Sequence, residues 1–149
     1  MRKQLNKSEI KELNEKLKQK YNFEYFNPKD NVVLQDNFYY KDGKVALFVL
    51  NDEIIPALKI LLEKNFLKTI TVDMGAIKFV APGADIMRPG ITLIDDVKQG
   101  EIVAIVDAVN KKPIAVGKAL FDQKEMQAMT KGICVKNIHY VGDEIWVKA

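Results

Sequence analysis

One stretch constrains the fold of this chain more than any other: Ile70-Thr-Val-Asp-Met-Gly-Ala-Ile-Lys-Phe-Val-Ala-Pro-Gly-Ala-Asp-Ile-Met-Arg-Pro-Gly-Ile91. It reads strand, short helix, two tight turns, strand. Ile70 and Val72 favour extended backbone, and Gly75 interrupts the strand. Ala76, Phe79 and Val80 then recur at helical spacing until Pro82 stops the helix. Pro82-Gly83 and Pro89-Gly90 each place Pro and Gly at the centre of a turn, which predicts two type II turns with positive φ at the glycine. Glycines at this density also allow backbone amides to lie close against a neighbour, either a strand or a phosphate.

Upstream, Leu5-Asn-Lys-Ser-Glu-Ile10 is a helix start: Asn6 is the cap, Glu9 reaches back from the third position, and Leu5 staples to Ile10. The apolar face of that helix is Ile10, Leu13, Leu17 and Tyr21, with Glu12 and Lys16 one turn apart on the outside. After Asn27-Pro28 the residues turn β-branched and aromatic. Val32-Val-Leu34, Phe38-Tyr-Tyr40 and Val45-Ala-Leu-Phe-Val-Leu50 predict strands, with a hairpin turn at Asp42-Gly43. Pro56 fits only the first turn of a helix, so a helix is expected over residues 56–64 with Leu58, Leu61 and Leu62 facing the core. No Pro/Gly/Ser-rich linker separates Leu62 from Ile70, so the two halves are expected to hold a fixed mutual orientation.

Downstream, residues 91–94, 101–109 and 114–121 predict strands. A second helix follows, with Asp122 as cap, Glu125 completing the box, Phe121 stapling to Met126 and Gly132 past the end. Three strands at residues 133–136, 138–140 and 144–148 are expected to finish the chain, the last two joined by a tight hairpin at Gly142-Asp143. Many short strands with little helix imply a closed or nearly closed barrel.

The 149 residues, 48% hydrophobic and 29% charged, suit one domain or two small ones. No apolar run is long enough to span a bilayer and the first residues lack a signal-peptide pattern, so the expected location is the cytoplasm. Net charge is only +3, and the excess lies in residues 1–68, which hold 13 Lys and Arg against 10 Asp and Glu. The lysines of the first helix fit a solvated face as well as an RNA backbone contact. Catalytic machinery is not evident. His139, the single histidine, sits between Ile138 and Tyr140, which suits hydrogen bonding within the fold better than acid–base work. Asp95-Asp96 and Asp143-Glu144 fall in turns, and Cys134 lies in an apolar run as a buried small hydrophobe. One histidine and one cysteine make no zinc site, and Val116-Gly-Lys118 lacks a phosphate loop. The expectation is therefore no catalytic residue, no metal and no cofactor.

The opening motif resembles that of the PUA domain, an RNA-binding β-barrel, through Gly75, Ala76, Val80, Gly83, Ala84, Pro89 and Gly90. The ending, Lys131-Gly132-Ile133 followed by Asn137-Ile-His-Tyr-Val-Gly-Asp-Glu-Ile-Trp146, is similar to the malignant T-cell-amplified-sequence proteins and their archaeal relatives. That resemblance implies an α+β chain: an N-terminal α+β domain over 1–68, then a PUA-type small β-barrel over 69–149. It implies RNA contacts at Gly75, Ala76, Lys78, Gly83, Ala84 and Arg88, with Lys78 and Arg88 exposed and neutralising phosphates. It also implies a non-catalytic role in translation, with rRNA or tRNA on the small ribosomal subunit as target and a density-regulated-protein-like partner. The alternative is an RNA-modification accessory that delivers tRNA or rRNA to a separate enzyme.

Overall fold

Asn6 opens the first helix as its side-chain chemistry predicts, accepting from the Glu9 N–H at 2.8 Å while the Glu9 carboxylate accepts from the Asn6 N–H at 3.0 Å. The computed structural model describes residues 1–149. Its first half runs β1 (Arg2–Gln4), α1 (Lys7–Tyr21), β2 (Val32–Gln35), β3 (Phe38–Lys41), β4 (Lys44–Leu50), β5 (Glu53–Pro56) and α2 (Leu58–Glu63). The five strands form one antiparallel sheet in the order of the chain. Asp42-Gly43 is the expected hairpin turn, both residues having positive φ. Asp36-Asn37 and Asn51-Asp52 make turns of the same kind between the neighbouring strands, which residue chemistry at those positions also permits.

Ile10, Leu13 and Leu17 bury the inner face of α1 against Val32, Ala46, Leu47 and Ile60. Asn14 lies on that same buried face. Its amide donates to the Phe26 carbonyl at 2.7 Å and its oxygen accepts from the Phe26 and Tyr25 N–H groups, so it anchors the loop that leaves the helix. Two expectations need correction. Pro56 ends strand β5 instead of opening the helix, because Ala57 is the cap position and α2 begins at Leu58. Leu62 points outward, its core place being taken by Ile60.

The second half runs β6 (Thr69–Val72), α3 (Met74–Val80), β7 (Ile86–Met87), β8 (Ile91–Ile94), β9 (Ile102–Asp107), β10 (Pro113–Ala119), α4 (Gln123–Ala128), β11 (Ile133–Tyr140) and α5 (Glu144–Lys148). Six strands form one sheet in the order β7-β11-β10-β9-β6-β8, antiparallel except for the β6–β9 pair. Its two edges, β7 and β8, are consecutive pieces of one strand interrupted at Arg88–Gly90, so the sheet curls into a nearly closed barrel around Ile70, Ile86, Ile105, Met126 and Val135. The chain is thus α+β, a five-stranded unit with two helices followed by a small, nearly closed β-barrel.

Residues 144–148 are helix α5, not the expected strand, and Asp143 is its cap, accepting from the Trp146 N–H at 2.8 Å. The hairpin reading of Gly142-Asp143 missed that a carboxylate three residues before an amide is equally a helix start. The helix swings Trp146 back onto the first half, where Lys59 lies 4.7 Å above its ring and donates to the Ala149 carbonyl at 2.8 Å.

A shared apolar layer joins the halves: Phe48, Ile55, Leu58, Leu61 and Leu67 pack with Ile102, Ala104, Val106 and Val116. Beside it, Glu53 pairs with Lys20 at 2.6 Å and with Lys118 at 3.1 Å across the joint. Each of those surface ion pairs contributes about 0–1 kcal/mol, against about 1.5–3 kcal/mol for each large apolar side chain fully buried, so the apolar layer holds the halves together. Burial opposes the ionisation of Glu53, but the two lysines outweigh it and keep the carboxyl below the usual range.

His139 completes the joint. Fully buried in β11, it accepts at Nε2 from the Leu58 N–H at 2.9 Å, while Nδ1 lies 2.8 Å from the Asp143 carboxylate. This network requires the neutral ring with its proton on Nδ1. Burial lowers the imidazole pKa below its ordinary value, against the opposing pull of Asp143. A depressed folded-state pKa means that the unfolded chain takes up the proton first as pH falls. The expected outcome is that unfolding free energy declines below an unfolded-state pKa of about 6.5, at up to about 1.4 kcal/mol per pH unit, and continues until the folded-state pKa is passed. Urea unfolding between pH 7.5 and 5 measures this, and the His139→Gln variant, though less stable, should lose that slope.

Candidate functional site

The stretch singled out in the sequence builds one continuous feature on the barrel. Asp73 caps α3, accepting from the Ala76 N–H at 2.8 Å, and its own N–H donates to the Gly90 carbonyl at 2.9 Å. Helix α3 is thereby seated across the interrupted strand. The seat demands Gly90 for space, since a Cβ there would stand 2.8 Å from the Ala76 Cβ. Gly90 does not have positive φ and closes a 3₁₀ turn, so the expected type II turn at Pro89-Gly90 is absent. At the other turn Gly83 has φ of +118°, and a Cβ there would meet the Tyr140 ring at 2.7 Å.

Past its end, α3 is held by Asn137, whose amide donates to the Val80 carbonyl at 3.1 Å and the Ala84 carbonyl at 3.0 Å. The Asp85 carboxylate accepts from the Asn137 N–H at 2.9 Å, so β11 grips the whole turn. Asn137, within the strand Ile133–Tyr140, is the residue in the sequence that signals this clamp. Its purpose became visible only once the turn at residues 81–85 was placed beside it.

Between α3 and the interrupted strand lies an open groove of about 660 Å³. Its lining includes buried Val80 and Ile86 and the outward side chains Phe79, Met87 and Ile133. Phe79 shares the helical spacing of Ala76 and Val80 but is 60% exposed, whereas Val80 is buried. A seven-residue helix on the barrel surface buries only a narrow stripe, and Phe79 falls beyond it. Asp73 and Asp85 also line the groove, but both accept backbone N–H groups of the fold. The surface on offer is mainly apolar and aromatic, suited to a flat ring more than to a phosphate.

Among the residues singled out in advance, Ala76 and Ala84 line the groove. Gly75 is exposed on the first turn of α3, Gly83 shapes the turn after it, and Lys78 is exposed beside the groove with its ammonium 5.1 Å from the Phe79 ring centroid. Arg88 differs from expectation. It is half-buried, and its guanidinium donates from Nε to the Met126 carbonyl at 2.6 Å and from a terminal nitrogen to the Ile91 carbonyl at 3.2 Å. A cation three residues before a strand looks like a surface charge in the sequence, but here it closes the barrel seam onto α4. Phe79, Met87 and Ile133 line the groove without any mark in the sequence, because exposed apolar side chains and core ones share the same letters.

Replacing Arg88 with Ala should therefore cost stability. Loss of two charge-assisted bonds to backbone carbonyls, with one partly buried, should lower the unfolding free energy by about 1.5–3 kcal/mol. Chemical denaturation measures it, and a variant as stable as the parent would return Arg88 to the list of free surface cations.

Comparison with known proteins places this geometry. The PUA domain family matches residues 68–141. An uncharacterized protein of Methanocaldococcus jannaschii is 40% identical over 95% of this chain and 93% of its own. Translation machinery-associated protein 20 of Schizosaccharomyces pombe is 36% identical over 72% of this chain and 64% of its own length. Malignant T-cell-amplified sequence 1 of Rattus norvegicus is 36% identical over 61% of this chain and 53% of its own. Among solved structures, a conserved PUA domain protein from Thermoplasma acidophilum superposes with a TM-score of 0.83 over the full length of both chains at 28% identity. An H/ACA ribonucleoprotein bound to a substrate RNA shares 31% identity over 64% of this chain and 29% of its own, with a TM-score of 0.51. With the motif, the barrel and these relatives in agreement, the chain belongs to the family of PUA-domain proteins that includes the malignant T-cell-amplified-sequence proteins and their archaeal relatives.

Proposed function

We propose that this protein is a non-catalytic RNA-binding component of the translation apparatus, contacting rRNA or tRNA on the small ribosomal subunit during initiation, re-initiation or recycling. The observation that carries this reading is the groove beside α3, where an exposed aromatic ring, apolar walls and Lys78 stand together on a barrel of the PUA family. An unpaired base stacks on Phe79, and Lys78 takes the adjoining phosphate. Gly75 and Ala84 present exposed backbone to the RNA, Gly83 shapes the turn after α3 against Tyr140, and Arg88 holds the seam behind it.

In this reading the chain divides into a first domain over 1–68, which meets the ribosome or a density-regulated-protein-like partner, and a PUA domain over 69–149, which meets RNA. The shared apolar layer and His139 support rigid presentation of the two as one surface. Names of the relatives support the translational setting, and the protein acts in the cytoplasm. No helix is long and apolar enough to cross a membrane. A second reading, delivery of tRNA or rRNA to a separate modifying enzyme, draws on the similarity to the H/ACA ribonucleoprotein.

Sedimentation with small ribosomal subunits through sucrose, alongside free tRNA binding, separates the two. The translation reading expects co-sedimentation that survives moderate salt, whereas binding to tRNA without the subunit favours the modification reading. Phe79→Ala should weaken RNA binding by about 1–3 kcal/mol with the fold intact, since that ring is outside the core. RNA affinity unchanged by Phe79→Ala would remove the groove as the site.

A further inference from the structure

The groove has a charge deficit for an RNA ligand. Arg88 is turned onto backbone carbonyls, which leaves Lys78 as the free cation on α3. A structured RNA with one segment in the groove carries further phosphates beyond it, and their counter-charges must come from another element.

The tip of the β9–β10 hairpin, residues 108–112, is positioned for that. Strand β9 runs parallel to β6 with Asp107 opposite Val72, one residue before the Asp73 cap of α3. Paired strands lie about 4.8 Å apart, so the hairpin leaves the barrel directly beside the start of α3. Gly90 and the groove lie on the other side of that start, across the β6–β8 pair. The turn after β11 reaches the same end, because Tyr140 lies opposite Ala115 near the beginning of β10.

The tip is rigid. The Asp107 carboxylate accepts from the Val109 N–H at 3.0 Å and from the Asn110 N–H at 2.5 Å, and the Asp107 carbonyl accepts from the Lys111 N–H at 3.1 Å. Lys111 is held at φ of +56°, a backbone state that Asn or Gly would occupy at lower cost. Val109 is 67% exposed. Lys111 and Lys112 are both exposed and neither joins an ion pair of the protein. Asp107, the nearest carboxylate in the chain, is buried and occupied by the turn itself.

We infer that the β9–β10 tip is a second RNA contact, at which Lys111 and Lys112 take backbone phosphates of the same structured RNA whose unpaired segment occupies the groove. The inference rests on the RNA-binding reading of that groove and extends it around the start of α3. The occupant is RNA because three cations outside any ion pair, Lys78 on α3 and Lys111 and Lys112 on the hairpin beside its start, accompany one groove with an exposed aromatic ring, matching a polyanion that carries stacking bases. Val109 on the tip and Met74 at the start of α3 are both exposed and offer apolar backing for sugars and bases.

The test is a Lys111→Asn/Lys112→Ala double variant, in which Asn preserves the positive φ of the tip. Thermal melting confirms its fold. Binding is measured as a function of salt with two probes, a tRNA transcript and a single-stranded RNA of about four nucleotides, which is long enough for the groove alone. The expected result is weaker tRNA binding, a log–log salt slope shallower by about 1.4 to 1.8 for two lost phosphate contacts, and unchanged affinity for the short RNA. Unchanged tRNA affinity and slope would overturn the inference, as would an equal loss on both probes, which would mean that the substitutions act through the groove. If the parent protein itself binds neither RNA, the reading of the groove fails and this inference falls with it.

Discussion

One neutral imidazole holds the two halves of this protein in register. Helix α2 starts at Leu58, and its cap position is Ala57, which has no side chain able to accept the amides of the first turn. An uncapped helix start inside a protein leaves buried donors without partners. His139, contributed by the last strand of the barrel, supplies an acceptor for the Leu58 amide, and Asp143 fixes the tautomer that makes this possible. Asp143 also caps α5, which carries Trp146 onto the first half. A helix of one half therefore depends on a side chain of the other, which a flexible tether between independent units would not require.

The barrel is organised by a comparable economy at its seam. A single interrupted strand provides both edges of the sheet, and the interruption at Arg88–Gly90 is where α3 sits down. Gly90 lets Ala76 approach, Asn137 ties the far end of the helix to β11, and Arg88 locks the break onto α4. With the helix ends fixed at these points, the outward residues of α3 and β7 are presented at a defined height above the barrel. The groove is the space the seam leaves open, so its shape follows from barrel closure.

Local chemistry made much of this legible in advance. The Asn6 and Asp122 capping boxes, the Asp42-Gly43 turn and the strands at residues 91–94 and 102–107 follow from side-chain chemistry over a few neighbours. Strand β1 was not legible, because Arg2-Lys-Gln4 has no strand character and is extended only through pairing with β2. Tertiary demand also overrode local preference at Asp143, where one carboxylate serves a helix start and a buried histidine at once. Around the candidate groove, the motif marks the turns and small residues Gly75, Ala76, Gly83 and Ala84, while the outward turn of Phe79 and the inward turn of Arg88 onto Met126 depend on how α3 and the seam sit on the barrel. Direction of a side chain is a property of the assembled barrel, and composition and spacing do not encode it.

The interrupted strand also sets an order of events during synthesis. The sheet of the first half pairs strands in chain sequence, so each new strand finds its partner already made. The seam differs: β7 must wait for β11, 49 residues later, since Ile86 pairs with Val135. Until that stretch leaves the ribosome, Ile86 and the apolar lining of the barrel have no cover. A nascent chain whose β11 is still inside the ribosome thus carries a paired first sheet and an open second one, with the apolar barrel lining exposed to aggregation until β11 emerges.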